Sequence, residues 1–109
     1  MLIENRLSPQ DCADMNDIRA EIDMMDESII KLIAQRFAYV KAAAKFKTSP
    51  DAVRAKERFE AMLLQRRIWA DEQGLSPEVI EKMYRDLVNY FISEEMKHWS
   101  QDQGRKPEV

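Results

Sequence analysis

Arg36, Lys47 and Glu95 fall on faces that the sequence otherwise reserves for apolar side chains, and Arg19 adds a further cation. In the stretch Met15 to Lys47, Ile18, Ile22, Met25, Ile29 and Leu32 recur at steps of four and three, the spacing of one helical stripe. The next step reaches Arg36, and three turns later Lys47 returns to nearly the same angle. Glu95 lies one turn after Phe91 and one turn before Trp99, on a face that reads Ile80, Met83, Tyr84, Leu87, Val88, Phe91, Ile92 and Trp99. Cations on apolar faces can hold a small dianion by charge-assisted hydrogen bonds. No Ser-His-Asp set, Cys-His pair or metal cage is visible, and a reaction that needs only orientation and electrostatics fits these residues. Plainer accounts stand beside this one. Arg36 can snorkel to water, Lys47 can answer the helix dipole, Arg19 can pair with Asp23, and Glu95 can sit slightly off the inferred face.

The elements that position these residues follow from the same pattern. Met15 to Lys47 contains no Gly and no Pro and predicts one long helix. Arg19 and Arg36 would stand about 100° apart around it and roughly 25 Å apart along it. Arg19 cannot then serve the pocket of its own Arg36, and a second chain has to supply it. Ser49-Pro50-Asp51 restarts a helix that carries Val53, Phe59, Met62, Leu63 and Trp69 and stops at Gly74. Ser76-Pro77-Glu78 opens a last helix that runs to about Trp99. Residues 1–10 read as an N-terminal arm, loose up to Leu7, with a turn beginning at Ser8-Pro9, and residues 101–109 as a flexible tail. The expected fold class is all-α: three helices, one long, one short and one medium, in a single domain over 1–109. A helix of roughly 45–50 Å exceeds what one such chain can cover, so an intertwined homodimer is expected.

Composition narrows the function classes. The 109 residues suffice for one modest core, and 34% charged with 45% hydrophobic residues is typical of a soluble helical protein. A net charge of −3 with mixed signs argues against general nucleic-acid binding. The single cysteine, Cys12, excludes an internal disulfide and a cysteine-based zinc site, and GxGxxG, P-loop and HExxH patterns are absent. No apolar run is long enough for a bilayer, and MLIENRLSPQDC lacks a signal-peptide core, so a cytoplasmic location is expected. Cys12 and His98 have no partner motif and read as structural.

The stretch from Pro9 to Asp26, PQDCADMNDIRAEIDMMD, resembles the start of the bacterial isochorismate-pyruvate lyases, a branch of the all-helical chorismate mutase superfamily. The likeness continues through Arg36, Tyr39 to Ala43, Phe46-Lys47, Glu57-Arg58 and Ala61-Met62. It resumes at Trp69-Ala70, Gly74-Leu75, Ile92, Glu94, Lys97 and Trp99, and so covers nearly the whole chain. It implies an intertwined all-α dimer of the chorismate mutase II type, with two equivalent sites shared between subunits and no cofactor or metal. It also implies a substrate-binding set of Arg19, Arg36, Lys47, Arg58, Phe91 and Glu95. Arg36 would bind the enolpyruvyl carboxylate, and Arg19 of the other subunit the ring carboxylate. Lys47 and Glu95 would be catalytic at the ether oxygen, under a mobile loop from Thr48 to about Arg54.

Two positions separate the branches. Mutases commonly carry an acid just after the matching arginine to hold the ring hydroxyl, and Phe59 stands there. The lyases carry Gln where this chain has Glu95, whereas some mutases, including fungal ones, carry Glu there. An ether oxygen only accepts hydrogen bonds, so Glu95 would have to act as a carboxylic acid. The expected activity is conversion of isochorismate to salicylate and pyruvate by a pericyclic elimination in salicylate or siderophore synthesis, with weak mutase activity alongside. The alternatives are a chorismate mutase that makes prephenate and a non-catalytic helical dimerisation module.

Overall fold

The computed structural model describes residues 5–104, with side chains described for 5–97. Along these the chain forms helices α1 (Met15–Ala43), α2 (Pro50–Arg54), α3 (Lys56–Glu72) and α4 (Pro77–Gly104). Two short 3-10 turns, Pro9–Asp11 and Ala44–Phe46, complete the order, and no strand occurs among the described residues. The chain divides into two compact units, Met1–Ala38 and Tyr39–Val109.

In the first unit the start of α1 is fixed by side chains that capture backbone N–H groups. Asp14 Oδ1 accepts from Asp17 N at 2.9 Å, and Asp17 Oδ2 accepts from Ala13 N at 2.9 Å. These bonds satisfy donors that a helix N-terminus leaves without partners. Ser8 caps the 3-10 turn through Asp11 N, as its place before Pro9 predicts. The residues before that turn are held rather than loose. Glu21, buried on the second turn of α1, accepts from Asn5 Nδ2 at 2.8 Å, Arg6 N at 3.2 Å and Leu7 N at 3.0 Å. Leu7, Pro9, Cys12, Ile18, Ile22 and Met25 line an apolar cavity of about 200 Å³ beside this latch. The expected arm over Met1 to Glu4 and the tail beyond Gly104 lie outside the described residues.

The second unit holds the core. α3 packs on α4, and α2 and the Ala44–Phe46 turn also pack on α4. Leu63, Met62, Ala70, Val53, Ala44 and Phe91 are buried among them. Gly74 ends α3 as its sequence predicts: at φ +75° it lets Leu75 N reach Ala70 O at 2.8 Å and Gly74 N reach Asp71 O at 3.1 Å. Ser49 and Ser76 cap α2 and α4 through Ala52 N and Val79 N.

Two boundaries differ from expectation. α1 ends at Ala43, and the chain tightens into the 3-10 turn before Lys47, whose backbone is extended at φ −95°, ψ 133°. Lys47 therefore does not continue the angular pattern of α1. The middle helix breaks at Ala55, which adopts a left-handed conformation, φ 43° and ψ 58°, and serves as the last cap of α2 and the first of α3. Three long helices still carry the fold. α4 runs five residues past the expected end at Trp99, whose side chain lies outside the described residues.

Three donors, first the Asn5 amide, hold the Glu21 carboxyl below the usual carboxylate range, against the opposing effect of burial. A carboxyl lowered by folding stabilises the fold above its ordinary value, and that contribution is lost as pH falls through the lowered one. Glu21→Gln should therefore unfold at lower urea than the wild type at pH 7, with the gap closing as the solution is taken below pH 4. A gap that stays constant over this range would contradict the latch.

Candidate active site

The second unit brings three of the expected site residues together. Glu95 lies one turn after Phe91 on α4, and both are buried. Lys47 arrives from the turn after α1, where its N–H closes on Ala44 O at 3.1 Å. Its Nζ stands 3.4 Å from Glu95 Oε2, with 25% of the lysine side chain and 4% of the glutamate side chain exposed. A carboxylate this buried requires a cation or hydrogen-bond donors to offset its lost hydration. Lys47 supplies one, and the pair leaves an ammonium facing partly outward. The short turn matters here: a continued α1 would carry Lys47 around the helix axis, whereas the extended residue turns the chain toward α4.

The other expected residues are distributed differently. Arg19 and Arg36 belong to the first unit, on α1, Arg19 exposed and Arg36 half-buried. They stand seventeen residue steps apart on uninterrupted helix, about 25 Å at 1.5 Å per step. Arg58 is exposed on the first turn of α3, where it lines an open hollow with Arg54, Ala55 and Lys56. Phe59 is half-buried next to it, with the Arg85 guanidinium 5.7 Å from its ring centre. These two line a cavity of about 320 Å³ with Asn89, Ile92, Arg54 and Lys56. The Phe59–Arg85 contact was not evident from the sequence, because it joins residues of two helices that have no shared motif.

Cys12 donates to Ser8 O at 3.5 Å. Desolvation, then the charges of Asp17 and Glu21, push its thiol up, which leaves less thiolate and a weaker nucleophile. No group of three or more His, Cys, Asp or Glu is placed to hold a metal ion among the described residues, and no helix there is long and apolar enough to cross a membrane.

An all-helical chain with a half-buried lysine paired to a buried carboxyl group, and with arginines set apart on one long helix, has the traits of enzymes that bind small carboxylates without covalent chemistry. The family description Chorismate mutase type II matches residues 18–96, which include all six expected site residues, and the chain belongs to that family. Among its relatives, an isochorismate pyruvate lyase from Pseudomonas aeruginosa is 40% identical over 97 residues, 89% of this chain and 96% of that protein. The T-protein of Haemophilus influenzae is 38% identical over 75 residues, 68% of this chain and 20% of that protein.

Proposed function

We propose that this protein is a cytoplasmic isochorismate-pyruvate lyase that acts as a homodimer. The observation that carries the reading is the Lys47–Glu95 pair at 3.4 Å, its carboxyl group buried one turn after the buried Phe91. It is set in a chain that matches the Pseudomonas lyase over nearly its full length. In the reaction, the ring hydrogen on the carbon that bears the hydroxyl moves to the methylene carbon of the enolpyruvyl group. The ring C–O bond breaks, the ether oxygen leaves as the ketone oxygen of pyruvate, and the ring becomes aromatic as salicylate. Atoms balance within one molecule, so the protein has only to hold the reactive conformer and stabilise charge on the ether oxygen. Arg36 binds the enolpyruvyl carboxylate, and the partner subunit's Arg19 binds the ring carboxylate. Lys47 donates to the ether oxygen, Glu95 fixes Lys47 and donates when it carries a proton, and Arg58 adds positive charge nearby. Phe59, in place of an acid, supports the lyase, because it offers no acceptor to a ring hydroxyl.

The dimer is supported by the apolar stripe of α1. Ile22, Ile29 and Leu32 are 46%, 48% and 57% exposed in one chain. Soluble proteins seldom leave so contiguous an apolar row in water. A second copy covers it and brings the Arg19 that one chain cannot supply to its own Arg36.

A second reading, a chorismate mutase that forms prephenate, is favoured by Glu95 itself, which some mutases share. Offering isochorismate and chorismate separately tests both. Salicylate fluorescence from the first should far exceed prephenate from the second, and prephenate alone would overturn the lyase. Lys47→Ala should lower kcat more than it raises KM, by on the order of 2–4 kcal/mol in the barrier. Glu95→Gln, an amide donor at every pH, should keep or raise activity at neutral pH, and an inactive Gln variant would remove Glu95 from the donor role. Subunit exchange between Arg19→Ala and Arg36→Ala variants should restore about a quarter of wild-type sites, since half the dimers are mixed and each of these holds one intact site. No recovery after proven exchange would exclude the shared site.

A further inference from the structure

The first unit contains a buried carboxylate that the reaction does not use. Glu21 stands two residues after Arg19 in α1, about 200° farther around the helix, so the two side chains leave by opposite sides. It accepts from Asn5 Nδ2, Arg6 N and Leu7 N, and so binds residues 5–7 back onto a turn some 15 residues later in the chain. On the N-terminal side of Arg19, Asp14 and Asp17 hold the first turn through Asp17 N and Ala13 N. Arg19 thus lies between two fixed points of a segment that, as the end of a helix, would otherwise fray.

From this arrangement we infer that Glu21 is a positioning residue for Arg19, acting by latching the N-terminal arm onto the second turn of α1. The inference rests on the proposed role of Arg19 as the group that binds the ring carboxylate. An arginine at the end of a long flexible side chain can place its guanidinium reproducibly only if its backbone is fixed, and small misplacements of a binding group are costly. The latch is polar and short: two of its three donors are backbone amides, so it fixes main chain to main chain through one side chain. The apolar cavity under the arm, lined by Leu7, Pro9, Cys12 and Ile18, shows that packing there is incomplete. The carboxylate therefore holds the arm where hydrophobic contact does so only in part. Arg6, the charged neighbour within the arm, adds favourable charge to the same carboxylate.

The two products make the test specific. Salicylate keeps the ring carboxylate that Arg19 would bind, whereas pyruvate keeps the carboxylate that Arg36 would bind. Glu21→Ala should raise KM for isochorismate and the inhibition constant of salicylate, each by roughly three- to thirtyfold, within the range of coupling found inside one network. It should leave kcat and the inhibition constant of pyruvate unchanged. The amide protons of Arg6 and Leu7 should exchange faster in the same variant. In an Arg19→Ala background the effect of Glu21→Ala on salicylate should vanish, because the group through which it acts is gone. If Glu21→Ala does not fold, Asn5→Ala removes one donor and should give a smaller shift of the same pattern. Equal weakening of salicylate and pyruvate would make Glu21 merely structural and overturn the inference. So would faster exchange with both constants unchanged. A wild type that forms no salicylate from isochorismate would instead overturn the functional reading, and Arg19's role with it.

Discussion

A carboxylate with only 4% of its side chain exposed cannot stay charged in an apolar surround without a cation or donors, and this constraint organises the second unit. Glu95 is carried by α4, Lys47 by the end of a segment 48 residues earlier. For Nζ to come within 3.4 Å, the helix before it has to stop, tighten and release an extended residue toward α4. The 3-10 turn at Ala44–Phe46 meets that requirement, and the buried Ala44 lets it lie close to α4. The same pair that offsets the burial of Glu95 leaves a partly exposed ammonium. This is the kind of group that stabilises a developing oxyanion in a place poor in water.

The first unit answers a different constraint. A helix is a ruler: seventeen residue steps from Arg19 to Arg36 translate into about 25 Å, farther than a small dianion can bridge. Under the roles proposed for them, the two arginines of one chain stand too far apart to meet on one ligand. The exposed isoleucines and leucine along the same helix call for a cover. In the proposed homodimer, one second copy would answer both needs.

Much of this was legible because its signals are local. Ser49-Pro50, Ser76-Pro77 and Gly74 fix helix ends through side-chain oxygens, a preset φ and a positive φ, each of which a residue type announces. Glu95 stood out as a carboxyl group among apolar neighbours and is buried. The break at Ala55 was hidden, because alanine is the best helix former and nothing in its side chain announces a left-handed backbone. The end of α1 was hidden for the same reason: Ala-Lys-Phe is compatible with helix, and packing on α4 decides otherwise. The latch at Glu21 left no signal in the sequence, because two of its partners are backbone N–H groups, which every residue but proline possesses.

The turn after Gly74 also bears on the order in which the molecule can assemble. α3 and α4 adjoin in sequence, separated only by the four residues from Gln73 to Ser76, so bringing them together closes a short loop at small entropic cost. Contacts between neighbours in sequence form quickly. The hairpin needs nothing from another molecule, whereas in the proposed homodimer the cover for α1 would arrive only by diffusion. Refolding of such a dimer would separate into a unimolecular phase, independent of protein concentration, and a slower one that accelerates as the solution is made more concentrated.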